Sequence, residues 1–317
     1  MTNLEYLNTK ISSLTEDQRE LFDWMQIENR LNICIPTGAG KGYIMMVDLL
    51  NRIIKSDEKV MTIASHRLML NGQHMDDIFN MTQPLVGDIG FIFVGSSRYD
   101  INKFQENPII NRGLFNKKLS FGDIFQSTTR KAEVNELVGK HLSEGRKVVI
   151  LTTYHSLNCL SGIQIDTLYC DEAHMLATDT ETAQFKENFE LVKYKNCYFF
   201  TATPKDLTEE GSDFFLMNNK DVFGERIGLT FKECVEKGYI VTPVVHVAMP
   251  ANYDSGVDYR SIQNMAKFVS DTFEAHREFI RKNSKDPSKI APKLLVKCPG
   301  VEEMWELRKL LMGGGVT

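Results

Sequence analysis

Residues 36–42 read PTGAGKG, a glycine-rich turn that contains one lysine. Glycines permit the tight turn in which backbone N–H groups point at a bound phosphate, and the lysine adds a positive charge for the β and γ phosphates. The predicted nucleotide-binding residues are therefore Gly38, Ala39, Gly40, Lys41 and Gly42. Gly42 stands where a hydroxyl that helps to bind Mg²⁺ is usual, so one metal ligand is expected to be missing. A structural turn without a ligand is the alternative.

A pair of carboxylates follows an apolar run within the stretch TLYCDEAHM (167–175). At the end of a strand, Asp171 is suited to bind Mg²⁺, directly or through water. Glu172 is suited to orient and deprotonate a water that attacks the γ-phosphate. An Asp-Glu pair at a strand end can equally be an ordinary turn or the start of a helix, so the prediction depends on its combination with the glycine-rich loop.

Two threonines close a third apolar run, FFTATPKD (199–206). The hydroxyls of Thr201 and Thr203 would face the crevice where open α/β sheets bind ligands, beyond the carboxyl ends of the strands. The alternative is a structural threonine pair at a strand-to-turn junction. Near the N-terminus, Thr15 and Gln18 have the spacing of a capping box, which predicts the start of a helix.

These residues need a scaffold, and the hydrophobic pattern predicts one. Apolar runs that predict strands alternate with stretches of helical periodicity, which is typical of βαβ units in a mostly parallel sheet. The predicted fold class is therefore α/β, a doubly wound parallel sheet with helices on both faces. The predicted strands are 30–35, 59–64, 90–95, 147–152, 166–170 and 197–201, and the predicted helices among them are 41–56 and 66–79.

This alternation is lost between about 80 and 146, where we predict an insertion or a long mobile loop. Its basic residues could follow a phosphate backbone or form a solvated surface; they are Lys103, Lys117, Lys118, Arg130 and Lys131. The first domain is predicted to span 1–242 and to end with a helix at 230–238, where Thr230 and Glu233 have capping-box spacing. For the second unit, 243–317, the predicted strands are 243–249 and 293–298 and the predicted helices are 259–283 and 301–311.

The composition fits a globular protein and excludes several classes. The 317 residues suffice for two domains, and 42% hydrophobic with 25% charged residues is an ordinary balance. No stretch approaches the roughly 20 apolar residues that cross a bilayer, so no membrane partner is expected, and the N-terminus lacks the apolar core of a signal peptide.

Six scattered cysteines predict reduced thiols in the cytoplasm, or in a host cytoplasm if the protein is viral. The net charge of −5 argues against wholesale coating of nucleic acid but permits a local basic groove.

The order of these motifs resembles that of the superfamily 2 helicases and translocases with a DEAH motif. Six segments carry the resemblance and are similar to motifs I, Ia, Ib, II and III and to the start of the second motor domain: GAGKG (38–42), HRLMLNGQ (66–73), TTYHSL (152–157), DEAH (171–174), TAT (201–203) and KLLVKCPGVEEM (293–304). The resemblance implies a RecA-like first domain and the beginning of a second RecA-like domain. It also implies ATP and Mg²⁺ as cofactors, with nucleic acid bound across both domains.

The resemblance assigns roles to single residues. It implies that Lys41 and the loop glycines bind ATP, that Asp171 holds Mg²⁺ and that Glu172 activates water. His174 is implied to link the nucleotide site to Thr201 and Thr203. The residues implied to contact the sugar-phosphate backbone are His66, Arg67, Gln73 and Thr153. Because such contacts carry no base information, the protein is expected to read shape and not sequence.

Two features depart from the family pattern. Gln18 lies about where related proteins use a glutamine to read adenine, but Thr15 stands in place of their upstream arginine. Adenine recognition and helix capping alone are therefore both open. The later family motifs, which bring arginines to the ATP site from the second domain, have no match, and Arg308 lies in an unrelated helix. The chain therefore resembles an N-terminal fragment or a naturally truncated protein that is too short for full activity.

The predicted function is an ATP-dependent helicase or translocase. A phosphate loop near residue 40 with a DEAH motif is similar to the DNA-repair, phage-recombination and restriction branches, so DNA is favoured over RNA as the partner. One alternative is a restriction-type translocase subunit that acts with a nuclease or methylase partner. Another is a nucleotide-switch module with little hydrolysis, which Gly42 and the missing arginines would favour. A small-molecule kinase is disfavoured by the DEAH and TAT motifs.

Overall fold

The computed structural model describes residues 2–95, 106–177, 183–206, 216–241, 261–283 and 301–313. The chain forms two compact units, Met1–Thr242 and Pro243–Thr317. The predicted strands at 243–249 and 293–298 lie outside the described residues. Two helices are described in the second unit, Ile262–Asn283 and Val301–Gly313. They confirm the helices predicted there to within a few residues.

The first unit is built on a parallel sheet. Among its described residues the sheet has eight strands, and neighbouring strands pair in parallel throughout. In chain order the strands are β1 (Arg30–Cys34), β2 (Val60–Ser65), β3 (Ile89–Val94), β4 (Phe125–Thr128), β5 (Lys147–Thr153), β6 (Gln164–Asp171), β7 (Lys193–Thr201) and β8 (Glu225–Gly228). Their order across the sheet is β4-β3-β5-β2-β6-β7-β1-β8. The predicted α/β class with a parallel sheet is confirmed.

Helices connect and cover these strands. In chain order they are α1 (Asn3–Ser12), α2 (Glu16–Ile27), α3 (Lys41–Lys55), α4 (Leu68–Thr82), α5 (Pro108–Lys117), α6 (Phe121–Ile124), α7 (Lys131–Ser143), α8 (Ala183–Glu190), α9 (Lys220–Phe223) and α10 (Phe231–Glu236), and the second unit adds α11 (Ile262–Asn283) and α12 (Val301–Gly313). Short 3₁₀ helices occupy Gln83–Leu85, Tyr154–Leu160 and Ala173–Met175. None of the described helices is long and apolar enough to cross a bilayer.

Both predicted capping boxes are present. Gln18 N donates to Thr15 Oγ1 over 3.3 Å at the start of α2, and Glu233 N donates to Thr230 Oγ1 over 3.2 Å at the start of α10. In each box the side chain of the third helical residue also accepts a hydrogen bond from the backbone N–H of the capping threonine. Each threonine therefore satisfies an N–H that the helix leaves without a partner.

Both faces of the sheet are buried, which explains the continuous apolar runs in the sequence. Along β5, Val149 and Leu151 belong to one hydrophobic core, whereas Val148 and Ile150 belong to the other. Successive side chains of a strand point to opposite faces, so a strand covered on both faces is apolar at most positions. This is the reason that the central strands could be predicted from short uninterrupted runs.

Of the two alternatives for about 80 to 146, the long mobile loop is wrong for the described part of that interval, whereas the insertion stays a prediction. Residues 106–146 form α5, α6, β4 and α7 and lead into β5, and β4 pairs with β3 at the edge of the sheet. An aromatic cluster holds this region together, with ring centroids 4.7 to 6.5 Å apart among Phe79, Phe91, Phe121 and Phe125. Helix α6 and strand β4 have four residues each, too few to show a periodicity in the sequence.

Three of the basic residues in this interval make contacts within the protein. Lys117 pairs with Asp88 at 2.5 Å and Arg130 with Glu133 at 2.6 Å. Lys131 Nζ donates to Ser161 Oγ over 2.6 Å. Lys103 lies outside the described residues. Contact of these residues with a phosphate backbone stays a prediction.

Candidate nucleotide site

The glycine-rich loop joins β1 to α3 at the carboxyl end of the sheet. Gly38 and Gly40 have φ angles of +91° and +87°, a left-handed conformation that glycine adopts without strain. A side chain at Gly40 would also collide with the Gln18 amide. Gly40 is the N-cap residue of α3 and has no side chain that could accept a hydrogen bond from the first N–H groups of the helix. Uncapped N–H groups at a helix N-terminus favour an anion.

Lys41 brings the loop and the carboxylate pair together. Its Nζ lies 3.0 Å from Asp171 Oδ1 and 2.7 Å from Glu172 Oε1. Asp171 is the last residue of β6, and Glu172 follows it with a φ of +52°. A positive φ is strained for a residue with a side chain and is typical of functional sites. The two motifs that the sequence placed 130 residues apart therefore meet at one edge of the sheet.

The charges at this edge stabilise one another. Burial opposes ionisation of Asp171, but the hydrogen bond with His74 and the charge of Lys41 outweigh burial and lower the pKa of Asp171 well below its ordinary value. Burial also opposes the charge on Lys41, yet Asp171 and Glu172 raise the pKa of Lys41 above its ordinary value. Near neutral pH the site therefore holds an ionised Asp171 beside a charged Lys41.

His174 lies between the carboxylate pair and β7. Its Nδ1 is 2.9 Å from Thr201 Oγ1 and 3.4 Å from Glu172 Oε2. Burial lowers the pKa of His174, against the opposing charge of Glu172, so a neutral imidazole is expected at neutral pH. Thr201 is fully buried, and its hydroxyl accepts a hydrogen bond from the backbone N–H of Thr203 over 3.1 Å. The contact of His174 with the TAT segment is thus made through Thr201.

Gln18 contacts the glycine-rich loop and also caps its own helix. Its Oε1 accepts from Thr15 N over 3.1 Å, and its Nε2 donates to the Ala39 carbonyl over 3.0 Å. Capping and contact with the loop are therefore compatible, because they use different atoms of the same amide. Recognition of adenine by Gln18 stays a prediction.

The residues expected to contact nucleic acid lie on neighbouring elements of the same edge. His66 and Arg67 follow β2, Thr153 ends β5 and pairs in register with Ser65, and Gln73 is exposed on α4. His66 is half-buried, and burial together with the charge of Arg67 lowers its pKa. Since β6 pairs with β2 on its other side, these residues and Asp171 line one edge of the sheet. Their contacts with nucleic acid stay a prediction.

His74 is a residue of the site that the sequence did not reveal as such. It lies on α4 next to Gln73, is only 6% exposed, and places Nε2 3.0 Å from Asp171 Oδ2. The available signal was its position on the buried face of the helix, which also carries Met75, Ile78 and Phe79. A polar residue among apolar ones on such a face needs a partner, but the sequence does not identify that partner.

The carboxylate pair fits Mg²⁺ bound together with nucleotide phosphates. Asp171 Oδ1 is buried and lies 3.0 Å from the ammonium of Lys41, so this oxygen already stabilises a positive charge. Groups of three or more His, Cys, Asp or Glu side chains that could hold a metal are not found among the described residues. Mg²⁺ does not need such a group, since it commonly uses one or two carboxylates with phosphates and water. A Cβ at Gly42 would meet no atom within 4 Å, so the space beside this backbone position is open.

Comparison with known proteins identifies a family and a fold. The family model described as "Type III restriction enzyme, res subunit" matches residues 5–206. A nuclease-deletion mutant of the Type ISP restriction-modification enzyme LlaGI, solved in complex with a DNA substrate mimic, is similar with a TM-score of 0.51 and 17% identity, over 86% of this chain and 22% of that one. The ATP-dependent Type ISP enzyme LlaBIII bound to DNA gives a TM-score of 0.51 and 15% identity, over 71% of this chain and 15% of that one.

The structural similarity shows the fold, which is α/β and RecA-like. The chain spans less than a quarter of the length of either restriction enzyme. Among curated protein sequences, none matches this chain.

Proposed function

This chain belongs to the family of the Type III restriction enzyme res subunit, and from that premise we propose that it is an ATP-dependent helicase or translocase that acts on DNA. The observation that carries the proposal is the contact of Lys41 with both Asp171 and Glu172. A lysine at the start of a helix, beside two carboxylates at a strand end, provides positive charge for phosphates and oxygen ligands for a divalent cation.

The residues at this edge of the sheet have different roles in the proposed ATP hydrolysis. Lys41 and the N-terminus of α3 bind the phosphates, and Asp171 holds Mg²⁺, which neutralises charge on the phosphate oxygens when bound. Glu172 orients the attacking water and accepts its proton. Lys41 is paired with both carboxylates, so a phosphate bound by Lys41 must replace at least part of this pairing.

The proposed DNA contacts come from the ends of β2 and β5 and from α4. His66, Arg67, Gln73 and Thr153 lie there, and they provide donors for phosphate oxygens without reading base edges. DNA is proposed over RNA because the two restriction enzymes of similar fold were solved with DNA or a DNA mimic.

A more specific role is a translocase subunit of a restriction system. The family match favours this role over a free-standing helicase, because the matched family is named for a restriction-enzyme subunit. Such a subunit would act with a nuclease or methylase partner. The two roles share the nucleotide site and differ in what the motor is coupled to.

The test is the ATPase rate of the purified chain alone, with duplex DNA, with single-stranded DNA and with RNA. We expect DNA to raise the rate above that of the chain alone and above that with RNA. The Lys41→Ala variant serves as the background control, and it should keep its fold while losing ATP binding. Stimulation by RNA alone would contradict the choice of DNA. ATP binding without hydrolysis under every condition would indicate a nucleotide switch and would overturn the motor assignment.

A further inference from the structure

His74 contacts the carboxylate that the proposed function assigns to the metal. It reaches Asp171 from α4, a helix that packs on α3 and on β2 and β5. The distance from His74 Nε2 to Asp171 Oδ2 is 3.0 Å, and each side chain is less than a tenth exposed. A contact of this length between two buried polar groups is a hydrogen bond in a fixed geometry.

The chemistry of the pair fixes which group donates. Asp171 has the ammonium of Lys41 3.0 Å from Oδ1, so it forms an ion pair as a carboxylate, and a carboxylate only accepts hydrogen bonds. The hydrogen therefore lies on His74 Nε2. His74 Nδ1 is buried and has no hydrogen-bond partner among the described residues, so the bond to Asp171 is the one that orients this ring.

The two oxygens of Asp171 are used differently. Oδ2 accepts from His74, whereas Oδ1 lies 3.0 Å from Lys41 Nζ and pairs with its charge. The backbone carbonyl of Asp171 is fixed as well, because Tyr154 Oη donates to it over 2.8 Å. One oxygen is thus anchored to a helix while the other faces the positive charge of the phosphate loop.

We propose that His74 is a positioning residue for the metal site: its Nε2–H holds Asp171 so that Oδ1 is presented to Mg²⁺ bound with a nucleotide. The proposal rests on the proposed function, because it requires Asp171 to bind the metal. Hydrogen bonds to a ligating carboxylate orient it, and loss of such a partner typically costs about 10- to 100-fold in metal affinity or activity. The competing explanation is that His74 merely fills space on the buried face of α4.

Two substitutions separate orientation from packing. His74→Leu keeps an apolar volume on the helix face and removes the donor. His74→Gln keeps a side-chain N–H at a similar reach and is the matched control. Both variants and the parent are titrated with a fluorescent ADP analogue, first in EDTA and then across a series of Mg²⁺ concentrations. Circular dichroism checks that each variant is folded.

We expect His74→Leu to bind the analogue in EDTA as the parent does and to need about tenfold more Mg²⁺ for the metal-dependent gain in affinity. His74→Gln should restore most of the parental Mg²⁺ dependence. Parental Mg²⁺ dependence in His74→Leu would overturn the proposal, and so would equal losses in EDTA and in Mg²⁺ for both variants, which would indicate a packing role. If Mg²⁺ has no effect on the parent itself, the assignment of Asp171 as a metal ligand fails, and the proposed function fails with it.

Discussion

Restoring the missing hydroxyl by Gly42→Thr is expected to lower the Mg²⁺ concentration that supports ATP hydrolysis. Gly42 lies in the first turn of α3 outside the left-handed region, and a Cβ there would meet no atom within 4 Å. The first atom of a threonine side chain would therefore displace no neighbour. Its higher helix propensity should stabilise the turn by only about 0.3 kcal/mol, so the fold should be almost unaffected.

The effect on the metal can be worked out from the interaction gained. A polar interaction between the neutral threonine hydroxyl and the charged metal should contribute about 1.5–3 kcal/mol to the free energy of metal binding. Fixing the threonine side chain in one rotamer costs about 0.5–1 kcal/mol of that gain. The difference of about 1–2 kcal/mol corresponds to half-maximal activity at about tenfold lower Mg²⁺. Turnover at saturating Mg²⁺ should change little, because Lys41, Asp171 and Glu172 remain in place.

The assay is a Mg²⁺ titration of the ATPase rate for the parent, for Gly42→Thr and for Gly42→Ala. Alanine adds the Cβ and the helix propensity without the hydroxyl, so it controls for stiffening of the turn. We expect the alanine curve to coincide with the parental curve and the threonine curve to shift. If threonine and alanine give the same curve, the site holds its metal without need of that hydroxyl, and the reasoning about Gly42 is refuted.

Further predictions concern catalysis, nucleic acid and stability. Glu172→Gln should retain ATP binding and lose turnover, because shape is kept and the base is removed; an unchanged rate in single-turnover assays would reject Glu172 as the base. DNA affinity should fall steeply with salt, by a slope of about −0.9 per phosphate contacted, and vary little with sequence, which filter binding at several salt concentrations measures; a strong sequence preference would contradict backbone contacts. Arg52→Met should cost about 3–5 kcal/mol of unfolding free energy in urea, because Arg52 pairs with buried Asp48 and with Glu58. The exposed Lys55→Met on the same helix is its control, and equal losses in both variants would contradict the argument.

The parts of the site that could be predicted are those that depend on a short local sequence pattern. The phosphate loop needs glycines at fixed offsets and a lysine at the start of a helix, and the carboxylate pair needs an apolar strand directly before it. Both requirements are visible in one short stretch, and the structure places Lys41 beside Asp171 and Glu172. The parallel sheet could be predicted for the same reason, since strands buried on both faces are mostly apolar.

The parts that could not be predicted depend on which elements pack together. His74 meets Asp171 only because α4 packs on β2, the strand that pairs with β6, and this contact joins residues that are 97 apart in the chain. Arg52 likewise donates to Thr167 and to Tyr198, over 115 and 146 residues. A polar residue on a buried helix face indicates that it has a polar partner. The sequence does not identify that partner, because its identity depends on the order of the strands in the sheet.

The two carboxylates of the site are contacted by different histidines. Movements of different elements should therefore affect different steps of hydrolysis. Asp171 is held by His74 from α4, the helix that also carries the exposed Gln73. Glu172 is contacted by His174, which reaches Thr201 at the end of β7. A displacement of α4 would therefore act first on the proposed metal ligand, whereas a displacement of the TAT segment would act first on the proposed base. Substitutions on α4 should accordingly change the Mg²⁺ dependence of hydrolysis, and Thr201→Val should change the rate at saturating Mg²⁺ while leaving that dependence unchanged.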